Sequence, residues 1–157
     1  MDSIAKIYLE RADTELLLAS KIITLTEDEE VKIMLRIPKD KTFYSSVITH
    51  AYYAIFYAAK GILLTKGIKT SSPEVHKNTF EMFKKELVDT GILDFQLLEI
   101  YKKMVIRADE LLCIFKDEKW KRGHFTYKTI PQANKKPADD SLSNAKLFVS
   151  NINKVIK

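Results

Sequence analysis

Apolar side chains recur every three to four residues along most of the chain, which is the spacing of an amphipathic α-helix. This pattern predicts a first helix over residues 3–23 and a shorter one over 27–36, which Pro38 ends. Thr26 and Glu29 have the form of a capping box for the shorter helix. No segment alternates apolar and polar residues over a useful length, so no strand is expected.

The segment 42–66 differs from the others because it is apolar on almost all sides. A helix of this kind belongs at the centre of a bundle, and Gly67 follows it as a C-cap residue. Its longest apolar run, 51–59, is far shorter than the roughly 20 residues that cross a bilayer. We therefore expect a core helix and no membrane span.

Two further helices are marked by their starts or by their apolar spacing. The first begins at Ser72-Pro73-Glu74, where serine is a preferred N-cap and proline fits the first helical position, and it ends near Gly91. The second occupies residues 141–156, after a polar loop over 128–140 that contains two prolines.

The longest predicted helix starts at Asp94 and continues to about Lys121, with Gly123 as the residue that breaks it. Cys113 lies in its middle and is expected to be a buried small apolar residue rather than a nucleophile. The whole pattern predicts an all-α protein, an up-and-down antiparallel helical bundle of four to five main helices. At this length, the chain is expected to form a single domain over 1–157.

Composition narrows the class of protein without indicating a function. The net charge is +5. The single cysteine excludes an internal disulfide framework, so a cytoplasmic location is expected. The first residues lead directly into an amphipathic pattern, which argues against a signal peptide. The modest positive charge favours acidic partners.

Side chains that bind metals are not grouped in the sequence. The three histidines, His50, His76 and His124, lie on different segments without zinc-site spacing, and the Glu-x-x-His pairs of di-iron bundles do not occur. Glycine-rich phosphate loops are also missing. We therefore expect no metal and no cofactor, and we expect His76, in a first helical turn, to face solvent.

Four tyrosines crowd the central apolar helix together with His50; they are Tyr44, Tyr52, Tyr53 and Tyr57. Core packing, with hydroxyls that reach polar partners, is the favoured interpretation. Exposed rings on such a helix would indicate a subunit interface more often than a ligand site.

The basic stretch 116–128 carries the candidate chemistry. Its five cations exceed its two acids by three charges, and Trp120, His124, Phe125 and Tyr127 are interleaved with them. Positive charge beside stacking rings suits a single-stranded nucleic acid or a nucleotide. The candidate contact residues are Lys119, Lys121, Arg122, His124, Tyr127 and Lys128. The alternative is a solvated helix end whose lysines favour the negative end of the helix dipole.

Several segments, in order along the chain, resemble the prokaryotic HEPN domain family. Residues 45–64, with the pattern Ala-Tyr-Tyr-Ala-x-Phe, resemble its central helix, and residues 72–91 resemble the next segment, with its His and Phe-x-x-Phe. The element from Arg122 to Tyr127 occupies the place of an Arg-x-x-Ala-Asp-Tyr-like element, and 145–149 resembles the last helix.

The resemblance implies a helical bundle that forms a homodimer and is encoded beside a nucleotidyltransferase, as one component of a toxin–antitoxin-like or defence pair. Many members of the family are metal-independent endoribonucleases whose motif is Arg, four to six residues, then His. The Arg stabilises charge that develops on the phosphate, and the His moves protons for attack by the ribose 2′-hydroxyl.

This chain departs from that motif, because Tyr127 stands where the histidine is needed and His124 lies only two residues after Arg122. On a continuous helix, Arg122 and His124 point to nearly opposite faces, whereas a break at Gly123 would let them approach. The first hypothesis is a dimeric nucleotide- or RNA-binding module, with catalysis left open. The alternatives are a divergent metal-independent endoribonuclease that uses Arg122 and His124, and a structural partner protein with no nucleic-acid site.

Overall fold

A computed structural model describes residues 1–125 and 133–156. Within these residues the chain forms seven α-helices and one π-helical turn, and it forms no strand. The elements are α1 (Ser3–Glu27), α2 (Glu29–Met34), α3 (Tyr44–Thr65), α4 (Val75–Phe83), the π-helical turn (Lys84–Val88), α5 (Phe95–Leu112), α6 (Glu118–His124) and α7 (Lys135–Ile156). The all-α prediction is confirmed, with α1, α3, α5 and α7 as the long helices of the bundle.

The helix α3 lies at the centre of the bundle, as its apolar composition predicts. More than half of its residues are buried, and it packs against α1 and α7. His50 contacts Glu15, and Gly61 lies against Leu9. Residue numbers therefore rise along α3 as they fall along α1, so these two helices are antiparallel.

Aromatic rings hold α4, α5 and α7 together. Tyr101 of α5 contacts Phe80 and Phe83 of α4 and Phe148 of α7, with ring centroids 5.0, 5.3 and 5.7 Å apart. All four side chains are completely buried. Because each aromatic side chain removes a large apolar area from water, this cluster is a major part of the core.

Among the described residues, α3 is the one helix that is long and apolar enough to cross a membrane. The prediction of no membrane span uses only the apolar run 51–59, whereas the whole helix of 22 residues is long enough to cross a bilayer. However, 67% of its most apolar stretch is buried inside the bundle. The core helix of a globular protein has this same property, so α3 does not indicate a membrane span.

The predicted cap at Thr26 is wrong. The first helix continues to Glu27, and Asp28 caps α2 by accepting a hydrogen bond from the Val31 amide. The buried Thr26 hydroxyl instead accepts a hydrogen bond from the Phe43 amide at 3.0 Å. A side chain predicted to be a local cap therefore ties the end of α1 to the start of α3.

The helix predicted from Ser72 starts later than expected. The Ser72-Pro73 peptide bond is cis and α4 begins at Val75, so Pro73 precedes the helix instead of occupying its first turn. The helix passes into the π-helical turn and ends before Gly91. Both Gly91 and Gly67 have a left-handed φ, of 80° and 76°, as predicted for glycines that end helices.

The single helix predicted over 94–121 is in fact two helices. The first, α5, ends just before Cys113, which adopts a left-handed φ of 52°. Asp117 then caps α6 by accepting a hydrogen bond from the Trp120 amide. Cys113 is therefore exposed at a break rather than buried in mid-helix, and Gly123 lies inside α6 rather than ending a helix.

The last helix is longer than predicted. It begins at Lys135, so part of the expected polar loop over 128–140 is helical. Pro137 lies in its first turn, where the amide that proline lacks would have no partner within the helix.

Gly61 and Gly123 differ in the space around them, which allows a test of the packing. A Cβ at Gly61 would lie 2.7 Å from the Leu9 side chain, whereas one at Gly123 would meet nothing within 4 Å. We expect Gly61→Ala to lower the free energy of unfolding by about 1 kcal/mol, because α1 and α3 become overpacked. Gly123→Ala should raise it by about 0.5–1 kcal/mol, because alanine favours the helix. Urea unfolding followed by circular dichroism measures both, and equal losses would contradict this packing.

Candidate nucleic-acid interface

The short helix α6 is held against the core by aromatic rings. Trp120 stacks on Phe115, with centroids 5.8 Å apart and an interplanar angle of 9°. Phe125, which follows the helix, is buried and contacts Phe80 at 5.3 Å. These two anchors determine which side of α6 faces the core and which side faces solvent.

Lys119 and Arg122 form the solvent-facing basic side of α6, which we call the basic face. They are three residues apart and so share one side of the helix, and both are exposed. Neither forms an ion pair with a carboxylate in the described part of the chain. Their positive charges are therefore available to an anionic ligand.

Lys121 has a different position from the other predicted contact residues. Its Nζ donates a hydrogen bond to Asp109 at 2.9 Å and lies 3.0 Å from a Glu118 oxygen, and its side chain is only 12% exposed. Burial lowers the pKa of Lys121, but the hydrogen bonds to Asp109 and Glu118 outweigh it and raise that pKa. Lys121 therefore carries its charge inside the fold, where it positions α6.

Asp109 is a residue of this region that the sequence motifs do not reveal. It is 4% exposed, and its carboxylate accepts hydrogen bonds from the Phe115 amide and from Lys121, both at 2.9 Å. One carboxylate thus closes the turn after α5 and holds α6. One sign of this role is present in the sequence: Asp109 directly follows Ala108, which lies on the apolar stripe of the predicted helix.

His124 is exposed, and its ring stacks on Trp120 with centroids 4.6 Å apart. Its Nδ1 lies 2.9 Å from the Trp120 carbonyl oxygen. Because a carbonyl oxygen only accepts, Nδ1 carries the hydrogen and Nε2 is the acceptor of the neutral ring. Arg122 and His124 lie on one continuous helix, so the approach that a break at Gly123 would have permitted does not occur.

The remaining predicted contact residues, Tyr127 and Lys128, lie outside the described residues. The structure thus places Lys119 and Arg122 together on the basic face, with His124 stacked on Trp120. Within residues 1–125 and 133–156, no group of three or more metal-binding side chains lies together.

His76 is a second histidine whose environment differs from the prediction. It does not simply face solvent, because its ring stacks on Phe56 with centroids 4.3 Å apart, and its Nδ1 lies 2.9 Å from the Tyr52 hydroxyl. Burial, assisted by the charge of Lys60, lowers the pKa of His76 to about 4. The ring is therefore neutral at pH 7. Tyr52 is completely buried, which confirms core packing for this tyrosine.

Comparison with known proteins finds a family and several relatives. The family described as "HEPN domain" matches residues 34–150. A Methanocaldococcus jannaschii protein named "Putative toxin" is 29% identical over 118 residues, which cover 75% of each chain. A second protein of that organism and name is 40% identical over 57 residues, 36% of this chain and 37% of the other. The "UPF0332 protein" of Pyrococcus horikoshii is 34% identical over 94 residues, 59% of this chain and 60% of its own. No solved structure matches the chain.

Proposed function

Because the chain belongs to the HEPN domain family, we propose that it is a dimeric module that binds RNA or nucleotides as one component of a toxin–antitoxin-like pair. The family match and the two relatives with toxin names support a toxin-like HEPN module. We further propose that the ligand is RNA, that the protein forms a homodimer and that its partner is a nucleotidyltransferase. The proposal also includes a cytoplasmic location and a single domain over 1–157. The observation that carries it is the basic face of α6.

In this proposal, the basic face neutralises phosphates of a single-stranded RNA. Lys119 and Arg122 are exposed and have no carboxylate partner among the described residues, so binding them to phosphates releases counterions from the RNA. The outer side of the His124 ring, supported from behind by Trp120, offers a surface for stacking a base. Such contacts do not read the base sequence, so we expect a preference for single strands over any particular sequence.

We expect Arg122→Ala to weaken the binding of a fluorescein-labelled oligouridine RNA about tenfold in an anisotropy titration. The slope of log affinity against log salt should also fall by about 0.7, because one phosphate contact to a single strand is lost. Lys146→Ala is the matched control, since it removes one exposed cation from α7. Equal weakening in both variants would show that net charge, rather than the basic face, determines the affinity.

The structure and the Arg122→Ala variant also bear on the two other hypotheses. The ribonuclease alternative needs Arg122 and His124 to act on one phosphate, and their placement two residues apart on a continuous helix does not favour this. The structural-partner alternative predicts that Arg122→Ala leaves a complex with a nucleotidyltransferase intact and that no RNA affinity exists to be lost.

A further inference from the structure

Large apolar side chains are exposed along one side of α1, where a helix on the surface of a monomer is usually polar. Ile4, Ile7 and Leu18 are 52%, 53% and 43% exposed. Ile4 and Leu18 are each seven residues from Arg11, about two helical turns, so all three share one side of the helix. A single exposed apolar side chain needs no explanation, whereas a group on one side of a helix indicates a contact surface.

The exposed edge of α3 continues this surface with aromatic rings. Tyr53 and Tyr57 are half-buried, and their ring centroids are 5.8 Å apart. The centre of the Tyr57 ring is 5.9 Å from that of Tyr8 and 4.9 Å from the Arg11 Cζ, so α1 and α3 present one continuous surface. We call it the α1/α3 face, and its members are Ile4, Ile7, Tyr8, Arg11, Glu15, Leu18, His50, Tyr53 and Tyr57.

Two opposite charges lie near the middle of the α1/α3 face, one helical turn apart. Arg11 is exposed and forms no ion pair with a described residue. The Oε2 of Glu15 is bound to the His50 ring, whereas its Oε1 has no hydrogen-bond partner within residues 1–125 and 133–156. When two copies meet with antiparallel α1 helices and a two-fold axis between these charges, each Arg11 faces Glu15 of the other copy. The face is therefore complementary to itself, as a symmetric dimer contact requires.

The size of the α1/α3 face also suits a dimer contact. The helix α1 has 25 residues and α3 has 22, so two helices about 35 Å long lie side by side about 10 Å apart. Together they offer a footprint of roughly 35 by 20 Å, or about 700 Å². A stable interface buries about 800 Å² of each partner. Because side chains roughen the surface, a footprint of this size is large enough for a second copy.

We propose that two copies of this chain form a dimer through the α1/α3 face. This inference rests on the homodimer of the proposed function and identifies the surface that forms it. Homodimer contacts are more apolar than the rest of a protein surface and are enriched in tyrosine, as this face is. The opposite charges of Arg11 and Glu15 on one stripe favour a second copy over a different protein, because only a copy supplies the same two charges in reverse order. No residue of α6 belongs to the face.

The test is the molar mass of the full chain, measured by sedimentation equilibrium over a range of protein concentrations. The unaltered chain should form a dimer. Ile7→Glu should raise the dimer dissociation constant about a hundredfold, because two carboxylates, one from each copy, enter an apolar contact. Leu147→Glu is the matched control, since Leu147 is 44% exposed on α7, outside the face, and it should leave the constant unchanged.

Arg11→Ala gives a second measurement that leaves the apolar side chains in place. It should raise the dimer dissociation constant about tenfold, because both ion pairs between the copies are lost. The side chains of Ile7 and Arg11 are exposed, so both variants should fold as the unaltered chain does, which circular dichroism checks.

The surface and the proposed function fail in different ways. A dimer that persists in both Ile7→Glu and Arg11→Ala would overturn the α1/α3 face and leave the homodimer in place. Equal weakening by Leu147→Glu would also overturn the face. A monomeric unaltered chain would remove the face and the homodimer together. In each case the RNA titration with Arg122→Ala still decides whether the basic face binds RNA.

Discussion

The free energy of unfolding should fall by about 3 to 5 kcal/mol when Asp109 is replaced by alanine, because a buried ion pair loses one partner. The carboxylate of Asp109 is buried with the ammonium of Lys121, and it also accepts from the Phe115 amide. Its removal leaves a buried amide and a largely buried cation without this acceptor. Since small domains are stable by about 5–15 kcal/mol, the variant should be close to the limit of folding.

Urea unfolding at pH 7, followed by circular dichroism, measures this loss. Glu118→Ala is the matched control, because Glu118 also pairs with Lys121 but its side chain is 71% exposed. Its replacement should therefore lower the free energy of unfolding by less than about 1 kcal/mol. Asp109→Asn keeps an oxygen that can accept from the Phe115 amide. Its loss of unfolding free energy should therefore lie between the losses of Asp109→Ala and Glu118→Ala. If Asp109→Ala cost no more than Glu118→Ala, the buried carboxylate would not be what holds α6.

Acidification should destabilise the protein through His76. Its pKa is about 4 in the folded state and 6.5 without the protein environment, so between these values the folded chain binds fewer protons than the unfolded chain. The contribution to stability is therefore complete above pH 6.5 and is lost as the pH falls towards 4. The whole shift corresponds to about 3 kcal/mol. Because this partly buried ring keeps some contact with water, we expect about 1–2 kcal/mol of it to appear in the stability.

His76→Phe isolates this effect, because the ring can still stack on Phe56 but no longer binds a proton. The variant loses the partner of the Tyr52 hydroxyl at every pH, which adds a constant offset. The free energy of unfolding should be measured at pH 7.5 and pH 4.5 for both chains. The unaltered chain should lose about 1–2 kcal/mol more than the variant over this interval. Parallel losses would assign the acid sensitivity to other groups.

The long helices were predictable from the sequence, whereas the break between α5 and α6 was not. The apolar stripe continues past Leu112 to Phe115, so periodicity gives no sign that the backbone turns at Cys113. The turn depends on Asp109, whose carboxylate replaces a helical partner for the Phe115 amide. A local signal did exist in Asp117 followed by an acid, which is typical of a helix start.

In the candidate site, the arrangement along α6 was predictable from the sequence, whereas the contacts between elements were not. Spacing alone places Lys119 and Arg122 on one side of a helix once Trp120 turns to the core. The pairing of Lys121 with Asp109 and the stacking of His76 on Phe56 join residues on different elements. Such contacts depend on how helices pack, so no local pattern indicates them.

The break at Cys113 has a practical consequence for experiments. This residue is the only cysteine of the chain, and it is exposed at the turn that leads into α6. A maleimide dye will therefore attach at one defined position, with no other thiol to remove first. The protein thus carries a natural labelling point from which the arrival of a nucleic acid or a second protein chain at α6 can be followed by fluorescence.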